Sequence, residues 1–161
     1  MSKETVVDQT KTETASAATR ILDTGFEVTF PDGLVGCPTW KRFVFHSNPD
    51  QAPINTLKCL DVPDVSLFVL DPYLINENYT VDMTESEQAV ISLDNASDAI
   101  ILVILVMRHE PLSVTANLLG PLVINSRSKL GCQLVLENAE YSVRHLVYSD
   151  APEEGGEEDA A

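Results

Sequence analysis

Polar and apolar positions first alternate at Phe26, Val28 and Phe30, which sandwich Glu27 and Thr29. A period of two is that of a half-buried strand. Pro31-Asp32-Gly33 then predicts a turn. A second strand is expected over Lys41 to His46, with Phe43 and Phe45 on one face. Thr56–Leu60 and Ser66–Leu70 are two more apolar runs, divided by Asp61-Val62-Pro63-Asp64, and the second is closed by Asp71-Pro72. Tyr79 to Met83 alternates again. Thr84-Glu85-Ser86-Glu87 has the spacing of a capping box, predicting one short helix over about 85–93 with Ala89, Val90 and Leu93 facing inward. Ala99 to Met107 is apolar throughout and dominated by β-branched residues, the mark of a strand buried on both faces.

The stretch Thr115–Arg144 carries the clearest local grammar. Leu122-Val123-Ile124 and Cys132 to Leu136 are apolar runs on either side of the polar, basic Asn125-Ser126-Arg127-Ser128-Lys129, with Gly131 at re-entry. That is a hairpin with a loop longer than a tight turn. His145 to Tyr148 reads as a last short strand. Eight or nine short strands, one helix and many Pro, Gly and Asp turns predict an all-β chain, a small antiparallel β-barrel-like domain with one short helix. Closure into a barrel would leave no free sheet edge.

Composition adds boundaries. Residues 1–19 are rich in Thr, Ser and Ala with few large apolar side chains, and read as a mobile N-terminal tail. Residues 20–149 form the domain, and 150–161 an acidic C-terminal tail. The net charge is −15; residues 1–20 are neutral and the last twelve carry −6, so −9 falls on residues 21–149. Such a chain repels phosphate backbones and disfavours direct nucleic-acid binding, whereas a basic protein surface suits it. Cys37, Cys59 and Cys132 are unpatterned, as expected of reduced thiols in a cytoplasmic protein. No signal-like segment opens the chain, and the nine-residue apolar run is too short to span a bilayer.

The catalytic search finds little. His46, His109 and His145 lack metal-ligand spacing, Cys59 sits in an apolar strand without a nearby base, and the Gly33–Gly36 loop has no phosphate-binding continuation. No cofactor is expected. Asp61, Asp64 and Asp71 could be paired acids, but aspartate beside or near proline bonds its own backbone, and turn formation is the favoured reading. Trp40 and Tyr73 flank turns, where packing and partner anchoring are both open.

Three segments together resemble the flagellar assembly factor FliW family. They are Phe30-Pro31-Asp32-Gly33-Leu34-Val35-Gly36, the run Leu57 to Leu74 with its strand, Asp, Pro, strand and Asp-Pro, and Thr115 to Leu136 closing on Tyr141 and Arg144. Val35 stands where that family usually has proline, Gly120 where it has alanine, and Lys129 where it has arginine. The resemblance implies a β-barrel-like, non-enzymatic regulator. Such a protein binds flagellin and, once flagellin is exported, the RNA-binding translational repressor CsrA, relieving repression of flagellin synthesis. Asp61, Asp64, Asp71, Glu153 and Glu154 are the expected protein contacts, and Asn117, Pro121 and Asn125 are read as holding the hairpin. A monomer is expected. Two other classes stay open: a small ligand- or cofactor-binding β-barrel enzyme, and an acidic mimic that occupies an RNA site.

Overall fold

The computed structural model describes residues 25–138 and 140–150 together with the backbone of Lys3–Thr5. Its strands are β1 (Lys3–Thr5), β2 (Phe26–Thr29), β3 (Arg42–His46), β4 (Asn55–Cys59), β5 (Ser66–Leu70), β6 (Asp82–Thr84), β7 (Ala99–Arg108), β8 (Ser113–Ala116), β9 (Leu122–Asn125), β10 (Gly131–Gln133) and β11 (His145–Ser149). Among the described residues the one α-helix is α1 (Glu85–Val90). Nine strands form one sheet in the order β10-β9-β7-β5-β4-β3-β2, with β8 on β7 and β11 on β8. Every named pairing is antiparallel.

β7, apolar from Ala99 to Met107, is the axis, and over Ala99–Leu105 each of its faces meets a separate core. Ile100 and Leu102 point into the barrel-like core with Val28, Phe30, Phe43, Phe45, Leu57, Val69, Leu122 and Ile124. Ala99, Ile101, Val103 and Leu105 point the other way. They pack against a cap made by the chain between β5 and β7, which contributes Tyr79, Val81, Met83, Ile91 and Leu93. From Ala99 to Leu105 the apolar run thus has two covered faces, as strand alternation requires, but Val106 is exposed, so the two-sided burial expected over Ala99–Met107 stops short of the strand's end.

β8 and β9 act as one long partner of β7. Ser113 to Ala116 pairs with Arg108 to Leu105, and Leu122 to Asn125 with Leu102 to Ala99. Asn117–Pro121 bulges out between them, held by the Asn117 N–H donating to Ile104 O at 3.0 Å. β5 covers the opposite edge of β7 only over Val103–Leu105.

The barrel is not closed. Its two ends meet through an isolated parallel bridge between Thr29 and Leu130, with the Thr29 N–H donating to Lys129 O at 3.0 Å. Pro31 removes the next donor, and the Phe30 side chain fills the seam, edge-on to Phe43 at 5.5 Å between ring centroids. The barrel-like form is therefore completed by one bridge and side-chain packing, so the sheet keeps the edges that full closure would have removed.

Two further expectations are amended. The helix is shorter than 85–93: it ends at Val90, and Ser92 adopts φ 56°. Ala89 and Val90 are exposed, while Ile91 and Leu93 reach the core from the following turn. Lys3–Thr5, inside the stretch read as a tail, lies as an antiparallel strand on β6; the rest of residues 1–19, and residues 151–161, lie outside the described residues.

Candidate functional site

Asp61 and Asp64 sit in the β4–β5 turn, and Asp71 at the far end of β5, about 17 Å away for a five-residue strand. The fold does not gather the three. Asp61 spends its carboxylate on β3: Oδ2 accepts from the Lys41 and Arg42 backbone N–H groups at 2.9 and 2.8 Å, and Oδ1 lies 3.3 Å from the Arg42 guanidinium. Those backbone donors, and then Arg42, hold its pKa below the ordinary 3.8. Asp71 caps a short 3₁₀ turn, accepting from the Tyr73 N–H at 2.9 Å. It is half-buried, and desolvation raises its pKa above 3.8. Asp64 is exposed in its turn. Glu153 and Glu154 lie outside the described residues.

The hairpin residues do structural work. Asn125 is buried; its Nδ2 donates to Ile91 O and Ser92 O, both at 2.9 Å, and its Oδ1 accepts from the Arg127 N–H at 2.9 Å. It therefore ties the β9–β10 hairpin to the turn after α1. Gln133 links two loops: Oε1 accepts from the Val35 N–H at 2.9 Å, and Nε2 donates to Gly120 O at 3.0 Å. Pro121 is buried. Asn117 Oδ1 accepts from the Leu119 N–H at 3.1 Å. Tyr79 and Tyr141 stack at 4.8 Å, and the Tyr79 hydroxyl donates to Leu118 O at 2.6 Å. Burial keeps that phenol protonated far above its usual range.

The surface chemistry comes from a feature that the sequence reading did not single out. From Cys59 to Met107 there is no Lys, Arg or His, while nine acids occur. The base-free span supplies the cap, where Glu77, Asp82, Glu85 and Asp94 are exposed. Asp82 and Glu137 line a pocket of about 270 Å³ with Thr80, Leu136 and Asn138. One face of the molecule is thus a negatively charged layer over a rigid apolar core. Acid and base counts in a sliding window would have revealed it.

Groups for chemistry are sparse. The three cysteines are free thiols, and burial pushes the Cys132 thiol up to about 12. Among the described residues no three His, Cys, Asp or Glu side chains gather in a way that could hold a metal ion. No helix there is long and apolar enough to cross a membrane. Trp40 and Tyr73 both pack as partly buried residues against the two cores.

The class defined by these features is an antiparallel, barrel-like domain whose buried polar groups hold its own loops and whose outer faces carry charge. Comparison with known proteins gives that class a family. Residues 9–147 match the family described as FliW protein. The flagellar assembly factor FliW of Moorella thermoacetica is 29% identical over 137 residues, covering 80% of this chain and 87% of the relative. That of Geotalea uraniireducens is 32% identical over 124 residues, covering 77% and 76%. A crystal structure of the flagellar assembly factor FliW superposes with a TM-score of 0.67 at 26% identity, covering 80% of this chain and 87% of that one. The chain belongs to the FliW family of flagellar assembly factors.

Proposed function

We propose that this protein is a non-enzymatic cytoplasmic regulator that binds flagellin and the translational repressor CsrA in alternation, coupling flagellin synthesis to flagellar assembly. The family match over residues 9–147 carries the reading. The charge distribution supports it: a repressor that binds RNA presents basic surface, and the acidic cap formed by the base-free span is complementary to such a surface. Regulation would be linkage, in which flagellin lowers the concentration of protein free to take CsrA, and the converse. Calorimetric titration of the full chain with CsrA, and then with flagellin, tests this. Saturable binding to each, with one displacing the other, is the expected result. Folded protein that binds neither at low salt overturns it.

A further inference from the structure

β7 outruns the barrel. Its even-numbered face lines the barrel core at Ile100 and Leu102, and Ile104 packs at the edge of that core. β5 ends its lateral pairing at Leu105, and beyond that register the same face of β7 is exposed at Val106 and Arg108. β8 and β11 extend it sideways: Val106 pairs with Thr115 and Thr115 with Leu146, and Arg108 pairs with Ser113 and Ser113 with Ser149. The result is an open three-stranded floor, the wall of a cleft of about 480 Å³. The opposite face of β7 and β8 is buried under the acidic cap, through Leu105, Val114 and Ala116, while β11 is exposed on both faces.

Three properties of the floor point to one kind of occupant. Its centre is apolar and uncovered: Val106 is 52% exposed and Leu146 37%. Arg108 and Arg144 line the cleft, and neither guanidinium forms an ion pair among the described residues, unlike Arg42 and Arg127. Glu110 is the one acid in the lining, and His109 adds a third nitrogen base. On a chain of charge −15 this is a local reversal of sign, and it is local enough to be felt, because charges further than about 8 Å away are screened at physiological ionic strength. A nucleic-acid strand would run from this patch onto acidic surface, and inorganic phosphate would leave the apolar centre wet.

We propose that the open β7–β8–β11 face is a docking site for a short acidic segment of a partner protein, with an apolar side chain on Val106 and Leu146 and carboxylates on Arg108 and Arg144. Strand geometry supports the match, since β11 has no strand on its outer edge among the described residues, and an extended peptide alternates its side chains as β7 and β8 do; in β11 a register shift between Leu146 and Tyr148 interrupts the alternation. The inference does not rest on CsrA or flagellin being the partners.

The test uses the full chain and two end-blocked, fluorescein-labelled hexapeptides, one alternating Glu and Leu and one alternating Lys and Leu, followed by fluorescence anisotropy. The acidic peptide is expected to bind and the basic one not. R108E/R144E should weaken binding by about tenfold or more, with an unchanged melting curve because both side chains are exposed. Amide shifts in NMR should be confined to 106–115 and 144–149. Equal binding of both peptides, indifference to R108E/R144E, or shifts centred on the cap would overturn the proposal. So would tighter peptide binding on removal of residues 151–161, which would make the chain's own acidic end the occupant, or a dimer in sedimentation equilibrium that R108E/R144E abolishes. CsrA titration of R108E/R144E separates the two readings: retained CsrA affinity with lost peptide binding leaves the proposed function standing and places this site apart from it.

Discussion

Several side chains that look like surface chemistry are internal fasteners. Asn125 is the clearest, a fully committed amide buried between a hairpin and a turn. Asn125→Ala removes the side-chain donor to Ser92 O and the acceptor of the Arg127 amide, leaves Ile91 O to the Ser128 hydroxyl, and should cost about 1–2 kcal/mol in urea unfolding. Asp61 and Asp71 respond to pH with opposite sign. Asp61 has a depressed folded pKa, so its contribution is present above 3.8 and is lost as pH falls through the folded value. Asp61→Asn should therefore be less stable than wild type at pH 7 and converge with it under acid. Asp71 has a raised folded pKa, so wild-type stability declines as pH rises from 3.8 through that value. Asparagine caps as well as aspartate without the buried charge, so Asp71→Asn should melt at or above the wild-type temperature at pH 7, with the advantage gone below 3.8. Thermal melts across pH 3–7 check both.

At the scale of elements, most predicted strands hold with shifted termini, but of Tyr79–Met83 only Asp82 and Met83 lie in a strand, and of Cys132–Leu136 only Cys132 and Gln133. The capping box is formed as its spacing implies, with the Thr84 Oγ1 accepting from the Glu87 N–H at 3.1 Å and the Glu87 carboxylate accepting from the Thr84 N–H at 2.8 Å. The local code marks where this helix starts; its early end is set by the turn at Ser92, whose carbonyl Asn125 holds from 33 positions away. The hairpin's Gly131 has a tertiary reason as well. A Cβ there would lie 2.8 Å from the Phe30 ring, in the seam where β10 approaches β2. Gly131→Ala should destabilise by about 1–3 kcal/mol through overpacking, and trimming the ring as well, in Phe30→Leu/Gly131→Ala, should cost less than the two changes added. Chemical denaturation of the single and double variants measures that coupling.

For the whole molecule, sign of charge is distributed by face. The acidic cap lies on one side of β7–β8, and the arginine-lined floor on the other. A basic partner should be steered to the cap, so its association rate should fall steeply between low and physiological salt while its dissociation rate changes little. Stopped-flow mixing with CsrA at several salt concentrations reads this directly. A rate independent of salt would remove the electrostatic support for the proposed function.

The chain's periodicities determined the class of fold, because a period of two, a run of β-branched residues and a proline after aspartate act within a few residues of themselves. Ser66–Leu70 falls where the sequence placed it, and the two covered faces of β7 over Ala99–Leu105 follow from its apolar text. The family was legible too, in three segments whose order matters more than any one of them. Tertiary structure alone decided which polar groups were left over. Asp61 and Asp71 look alike in sequence, yet one is drawn into capping a distant strand and the other into a half-buried turn. Arg108 is unremarkable in the text and Arg144 stands there only as part of the family pattern; the pairing of β8 with β7 and β11 is what brings them to one cleft. Which face of a strand is covered depends on partners far along the chain, and a shift of one residue reverses it. Local pattern therefore specifies the strands, and long-range pairing specifies the surface they leave exposed.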